Sequence, residues 1–207
     1  MQREKEILEL QKEIFEANKA KGFWNDAGTR DKAEAVALIN SELYESLEAH
    51  RKGRTFSLEE VDFRNYDYAN DHIKELSDAL FWDFMEKHVK DTFQDELADT
   101  AIRILDYTGG FDIRLVPTTE IPFEFLETPS KGSYGASILS ANNYIISAYR
   151  QELVSVNVLG SMISYSWSAA LLYILYLADL YNINLYHHII WKLRYNALRP
   201  HKHGKKY

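Results

Sequence analysis

The chain has 207 residues, the size of one ordinary domain or two small ones. With 46% hydrophobic and 27% charged residues it can pack a core, which excludes general disorder; with 9 Gly and 4 Pro it lacks the turn punctuation an all-β fold needs. There is no Cys, which excludes disulfides, thiolate metal sites and cysteine nucleophiles, so any metal must be held by oxygen or imidazole.

The net charge of −7 is unevenly spread. Lys192 to Tyr207 holds six basic residues and no acid, while the preceding 191 residues set the other 18 basic residues against all 31 acids, a balance of −13. An acidic body repels a nucleic-acid backbone, so no nucleic-acid partner is expected. A small polyanion is acceptable where a cation and the basic tail meet it. The charged start, Met1-Gln2-Arg3-Glu4-Lys5-Glu6, has no signal-peptide core. The most apolar stretch, Ser166 to Tyr181, is interrupted by Ser168 and Asp179 and is shorter than the roughly 20 residues of a membrane span. A buried helix, no membrane partner and a cytoplasmic location follow as expectations.

Along the chain, Ile7, Leu10, Ile14 and Phe15 fall at helical spacing over residues 4 to 19. Lys21 to Gly28 breaks that pattern and reads as a loop carrying Phe23 and Trp24. A second helix is expected from about Asp31 to Arg51, capped near Thr29 or Asp31, closed by Gly53, and apolar along Val36, Ile39, Leu43 and Leu47. Residues 54 to 70 have no sustained period; 71 to 90 return to helix. A further helix runs from about Asp91 to Tyr107, ended by Gly109-Gly110. Phe111 to Gly135 holds three of the four prolines and is the longest irregular connection. Helices over 136–152, 159–182 and 184–198 complete an all-α helical bundle. Ile104 to Ile113 echoes Leu177 to Ile183 in apolar spacing, which fits either two repeated helical halves or chance likeness between amphipathic helices.

Two carboxylate pairs carry chemistry. Glu42 and Glu45, then Glu96 and Asp99, each stand three residues apart on one helical face. Like charges at that spacing repel, so an isolated helix gains nothing from them. Two such helices face to face would gather four carboxylates around a divalent cation. On a solvated face the same pairs arise without function, but Leu38, Leu43, Leu47, Leu97, Ala98, Ala101, Ile102 and Leu105 put these acids at the edge of a core. Unpaired carboxylates there are costly without a cation.

Glu42-x-x-Glu45 followed by Glu96-x-x-Asp99 resembles the signature of the all-α nucleoside triphosphate pyrophosphohydrolases, the MazG-like superfamily, which includes the dimeric dUTPases and dCTP pyrophosphatases. Gly22-Phe23-Trp24 before the first pair, Ala98 to Asp106 around the second, and the tail Lys192-x-x-x-Asn196-x-x-Arg199-Pro200-x-x-His203-Gly204-Lys205-Lys206 extend the likeness to about 20–55, 86–113 and 185–207. Ser41 stands where the family often has another acid. The gap between the pairs is longer than in compact members, as if residues 54 to 85 were inserted into one domain covering 1–207; both departures bear on substrate choice.

The resemblance implies a MazG-type bundle that hydrolyses a nucleoside triphosphate, NTP or dNTP, to the monophosphate and pyrophosphate. It implies Mg²⁺, replaceable by Mn²⁺, on Glu42, Glu45, Glu96 and Asp99, with Glu42 or Glu45 taking a proton from water. It also implies a homo-oligomer, and Lys192, Asn196 and Arg199 against phosphate. The alternative is a non-catalytic nucleotide-binding or regulatory protein on the same scaffold. Three further readings stay open between binding and structure. Arg103 either pairs with Asp99 or meets phosphate, Trp24 either stacks on a base or staples a helix start, and Asp106 either extends the acidic face or caps.

Overall fold

The computed structural model describes residues 2–24, 30–62, 73–126, 132–154 and 160–199. Among these every regular element is helical: α1 (Gln2–Ala20), α2 (Lys32–Arg51), α3 (Asp78–Phe84), α4 (Phe93–Gly110), α5 (Tyr134–Val154), α6 (Gly160–Leu180) and α7 (Leu185–Leu198). The all-α bundle expected from composition is present.

The centre is α4, packed against α1, α2, α6 and α7. A helix surrounded on all sides must be apolar almost all round or satisfy its own polar groups. It does both: Leu97, Ala98, Ala101, Ile104 and Leu105 are fully buried, and Thr100 and Thr108 hydroxyls donate to the carbonyls of Glu96 and Ile104 at 2.9 and 2.8 Å. α6 is 21 residues, long and apolar enough to cross a membrane, which exceeds the shorter stretch read from the sequence. Here it is a core helix: Trp167, Leu171, Ile174 and Leu177 are fully buried, and Ser168 accepts the Val116 amide at 2.8 Å.

Four helices end alike. After α1, α2, α4 and α6 one residue takes a left-handed backbone: Gly22, Gly53, Asp112 and Asn182, with φ of 86°, 68°, 54° and 55°. The amide of the next residue then bonds to the carbonyl five positions back, as in Phe23 to Asn18, Arg54 to Ala49, Ile113 to Thr108 and Ile183 to Ala178. The echo between 104–113 and 177–183 coincides with this shared ending. Because α1 and α2 close the same way, capping accounts for the echo without a duplication.

The structure corrects some boundaries. Asp31 caps α2, accepting the amides of Ala33 and Glu34 at 2.7 and 3.2 Å, while Thr29 lies outside the described residues. Gly109 and Gly110 do not end α4 but form its last turn, with Asp112 as the stop. The glycines are there for clearance: a Cβ on Gly110 would lie 1.9 Å from the Trp24 ring, and one on Gly109 would lie 2.9 Å from Phe15 Cβ. Gly110→Ala is therefore expected to cost about 1–3 kcal/mol by overpacking; an unchanged denaturation midpoint would contradict this packing.

The helix expected over 71–90 is broken into a 3₁₀ turn (Ile73–Glu75), α3 and a π turn (Met85–Val89). Ser77 restarts the helix by accepting the Leu80 amide, and the Lys90 amide bonds back to Met85 across the wider π turn. Val61, Ile73, Leu76, Phe81, Phe84, Met85 and Val89 form a second, smaller core against Tyr195 of α7. Arg194 fastens it by donating to the carbonyls of Ile73, Lys74 and Leu76 and to Asp78. This is the segment expected as an insertion, with 63–72 outside the described residues. The irregular connection after α4 buries Leu115, Val116 and Ile121 in the main core.

Candidate metal centre

α2 and α4 lie side by side, with Glu42 on one and Glu96 and Asp99 on the other. One carboxylate oxygen from each of the three lies within 4.8 Å of the other two. They open into a cavity of about 580 Å³ that Glu45, Arg103, Lys192, Asn196 and Arg199 also line. All four sequence-selected acids and all four sequence-selected cationic or amide residues thus border one space. Glu45 is outside the triad: it is exposed and accepts the Ser41 hydroxyl at 2.9 Å.

Two cations hold the triad from behind. Arg103 reaches across to α2, with Nε and Nη2 both on Glu42 Oε1 at 2.6 and 2.5 Å. Its ion-pair partner is therefore Glu42 rather than Asp99 one turn earlier, while its side chain still lines the cavity. Lys192 Nζ sits between Asp95 Oδ2 at 2.7 Å and Asp99 Oδ2 at 2.8 Å. Lys192 and Asp95 are both buried, so the lysine is turned inward onto acids. The arginine uses one oxygen of Glu42 and the lysine one of Asp99, so each acid keeps a second oxygen for a ligand.

The charge count is decisive. Among the described contacts, Glu42, Asp95, Glu96 and Asp99 share two cations, Arg103 and Lys192, so four acids crowd a confined place with half that number of partners. The proton affinities respond accordingly. Burial, then Asp99 and Asp95, push the Glu96 carboxyl up to about 9. Burial, then Asp99, raise Glu42 against the pull of Arg103. Burial pushes Asp95 up to about 7, opposed by Lys192. For Lys192 burial acts downward, but Asp99 and Asp95 outweigh it and keep the ammonium charged. An all-oxygen donor set whose acids outnumber their cations fits a hard divalent cation, which can take the place of the protons these carboxyls otherwise hold.

On the same cavity, Arg199 lies over the Tyr195 ring at 5.9 Å, and Asn196 Oδ1 is buried without a partner. Lys21 caps α7 by donating to the carbonyls of Ala197 and Arg199 at 2.8 and 2.6 Å, which ties the end of α1 to this wall. Pro200 to Lys206, the rest of the expected tail, lie outside the described residues.

Trp24 is a wall rather than a platform. It is buried, meets Phe15 and Phe111 edge-on at 5.4 Å, and carries Arg30 over its ring at 4.1 Å. Its Nε1 donates to Asp106 at 2.8 Å, which also faces Arg30 at 3.8 Å. Trp24 therefore packs as structure, whereas Asp106 is no cap: it is buried, held by Trp24 and Arg30, and lines the cavity together with Phe23.

Sequence reasoning missed Asp95, and also Asn18 and Arg30, which line the same cavity. Asp95 sits three residues after Thr92, whose hydroxyl accepts the Asp95 amide at 3.3 Å, a helix-start spacing readable in the sequence. A larger cavity of about 920 Å³ opens on another face of α7, among Phe56, Phe93, His188 and Trp191. Among the described residues no acid lines it, so it offers a cation no carboxylate there. Neither a protein-family model, nor a curated protein, nor a solved structure matches the chain.

Proposed function

We propose that the chain is a nucleoside triphosphate pyrophosphohydrolase of the MazG-like type, using Mg²⁺ on Glu42, Glu96 and Asp99. The observation that carries this reading is the convergence of three carboxylates, which together with Asp95 share only two contacting cations among the described residues, in a cavity that Arg199 and Asn196 also line. Divalent magnesium at such a site supplies charge neutralisation of a polyphosphate and acidification of water.

The chain's own residues divide the remaining work. Arg103 and Lys192 hold the acids in place by hydrogen bonds that leave ligand oxygens over. Arg199 offers a guanidinium fork suited to phosphate oxygens, and Asn196 an amide beside it. Glu45, exposed at the rim and outside the triad, is the acceptor for the proton of the attacking water. Attack at the α-phosphorus breaks the bond to the bridging oxygen, giving the nucleoside monophosphate and pyrophosphate. The cavity of about 580 Å³ is within the range of small-ligand sites.

The test is pyrophosphate release from a panel of NTPs and dNTPs with Mg²⁺ and with EDTA. Wild type is expected to release pyrophosphate only with the metal, Asp99→Ala to lose this activity, and Glu45→Ala to fall by about 100-fold or more. No release from any nucleotide, together with thermal stabilisation by a non-hydrolysable analogue, would move the non-catalytic binding reading to the front.

A further inference from the structure

Lys192 poses a problem for any cation at this site. Its ammonium already touches Asp99, one of the three acids, at 2.8 Å, and so competes for the same carboxylate. The structure also contains the means of limiting that competition. Asp95, one turn before Asp99 on α4 and fully buried, takes the same Nζ at 2.7 Å.

Asp95 is itself immobilised. Its Oδ2 accepts the Asp91 amide at 3.2 Å, and its own amide bonds the Thr92 hydroxyl at 3.3 Å. Asp91 takes a left-handed backbone with φ of 60°, which turns its amide to that carboxylate. The Asp95 carboxylate is thus held by the start of its own helix, independently of the acids at the cavity. Its Oδ1 is buried with no partner, so no second group draws it away from the lysine.

We propose that Asp95 is a positioning residue that retains Lys192 on the buried side of the site, so that Asp99 stays available to a divalent cation. This rests on the metal reading of Glu42, Glu96 and Asp99. The lysine is the only cation facing Asp95 among the described contacts; around it stand Asp99, Glu96 and, from α2, Glu42. If Asp95 is neutralised, Lys192 has one ionised partner left in contact, Asp99, and closes on it. The same strut fixes α7 against α4. Asn196 lies one helical turn beyond Lys192 and Arg199 two, so the phosphate-facing wall is set at the same point.

The experiment is Mn²⁺ titration of the purified full chain, read by the loss of free-ion electron paramagnetic resonance signal, for wild type, Asp95→Asn, Lys192→Met and the double variant. Asp95→Asn is expected to weaken Mn²⁺ binding about 10-fold or more, because the freed lysine takes Asp99. The double variant, with the competitor gone, is expected to bind about 3-fold or more tighter than Asp95→Asn. A residue with a merely structural role would not be rescued by a second substitution. Unchanged affinity in Asp95→Asn, or a double variant that binds no better than Asp95→Asn, overturns the proposal while leaving the metal reading intact. No Mn²⁺ binding by folded wild type overturns both. Should Asp95→Asn fail to fold, Lys192→Met and the double variant still decide. Equal affinity supports the proposal, and a tenfold difference between them refutes it by showing that Asp95 acts without the lysine.

Discussion

Without divalent cations, the protein is expected to lose about 2 kcal/mol of stability between pH 6 and pH 8.5, a fall of about 4–8 °C in thermal midpoint. The cause is Glu96. Burial and the neighbouring Asp99 and Asp95 push its carboxyl up to about 9, against an unfolded value of 4.5. The folded chain therefore keeps a proton that the unfolded chain has released. That contribution is fully present below about pH 4.5 and disappears as pH rises toward 9. Asp95, pushed up to about 7, adds in the same direction at the lower end of the window. The opposite case, Glu48, held down to about 2 by Arg51 and Lys52, is an exposed residue acting only in acid, outside this range.

Two controls make the result specific. Millimolar Mg²⁺ is expected to flatten the slope, because a divalent cation balances the charge that the proton otherwise removes. Glu96→Gln, neutral at every pH, is expected to flatten it without metal and to abolish stabilisation by Mg²⁺. Thermal melts at four pH values, with EDTA and with Mg²⁺, read all of this. A metal-free slope that survives in Glu96→Gln at the upper end of the window, above the range of Asp95, would place the titrating group elsewhere and remove Glu96 from the centre.

How much of this was legible in the sequence differs between elements. The acid pairs were legible because helical spacing alone puts i and i+3 on one face, and the apolar residues between them fix which face turns inward. That Glu42 would meet Glu96 and Asp99 needed only the expectation that α2 and α4 pack together. Glu45 shows the limit: it has the right spacing, but one turn further along α2 its side chain has reached the rim and bonds Ser41. Lys192 and Arg103 were found as residues and misread as contacts. Sequence places a lysine on a helix but says nothing about a buried aspartate 97 positions earlier. Trp24 was ambiguous for a similar reason. The signal that resolves it is Gly109-Gly110, of which Gly110 clears space for its ring and Gly109 for Phe15 of α1, and that relation exists only once α1 and α4 are docked. The helix over 71–90 failed because Ser77 and the π turn interrupt an apolar pattern that remains continuous.

The largest stability effect is expected far from the acids, at Glu152. This α5 carboxylate is buried and takes three donors from three other helices. Lys32 Nζ at the start of α2 sits on Oε2 at 2.6 Å; the Tyr107 hydroxyl of α4 and Trp167 Nε1 of α6 are on Oε1 at 2.9 and 2.7 Å. Burial and then the Glu152 charge push the Tyr107 hydroxyl far above the ordinary phenol range, so it remains a donor at any working pH. Glu152→Ala strands two buried donors and opens a cavity. With about 1–3 kcal/mol for each orphaned group, a loss of about 3 kcal/mol or more is expected, or roughly 6–12 °C in midpoint. Glu152→Gln separates the contributions. Its amide oxygen can still accept from Tyr107 and Trp167, and only the Lys32 ion pair is lost. Lys32 is 43% exposed at its side chain, so water takes over that partner and the cost is expected to be about 1 kcal/mol or less. The two variants should also agree on function. Lys32 stands ten residues before Glu42, about 15 Å along the same helix, so the surviving folded protein should bind Mn²⁺ with wild-type affinity. Denaturant melts of both variants beside Mn²⁺ titrations decide it. Equal losses in Gln and Ala would mean that the ion pair, not the two buried donors, holds these four helices together.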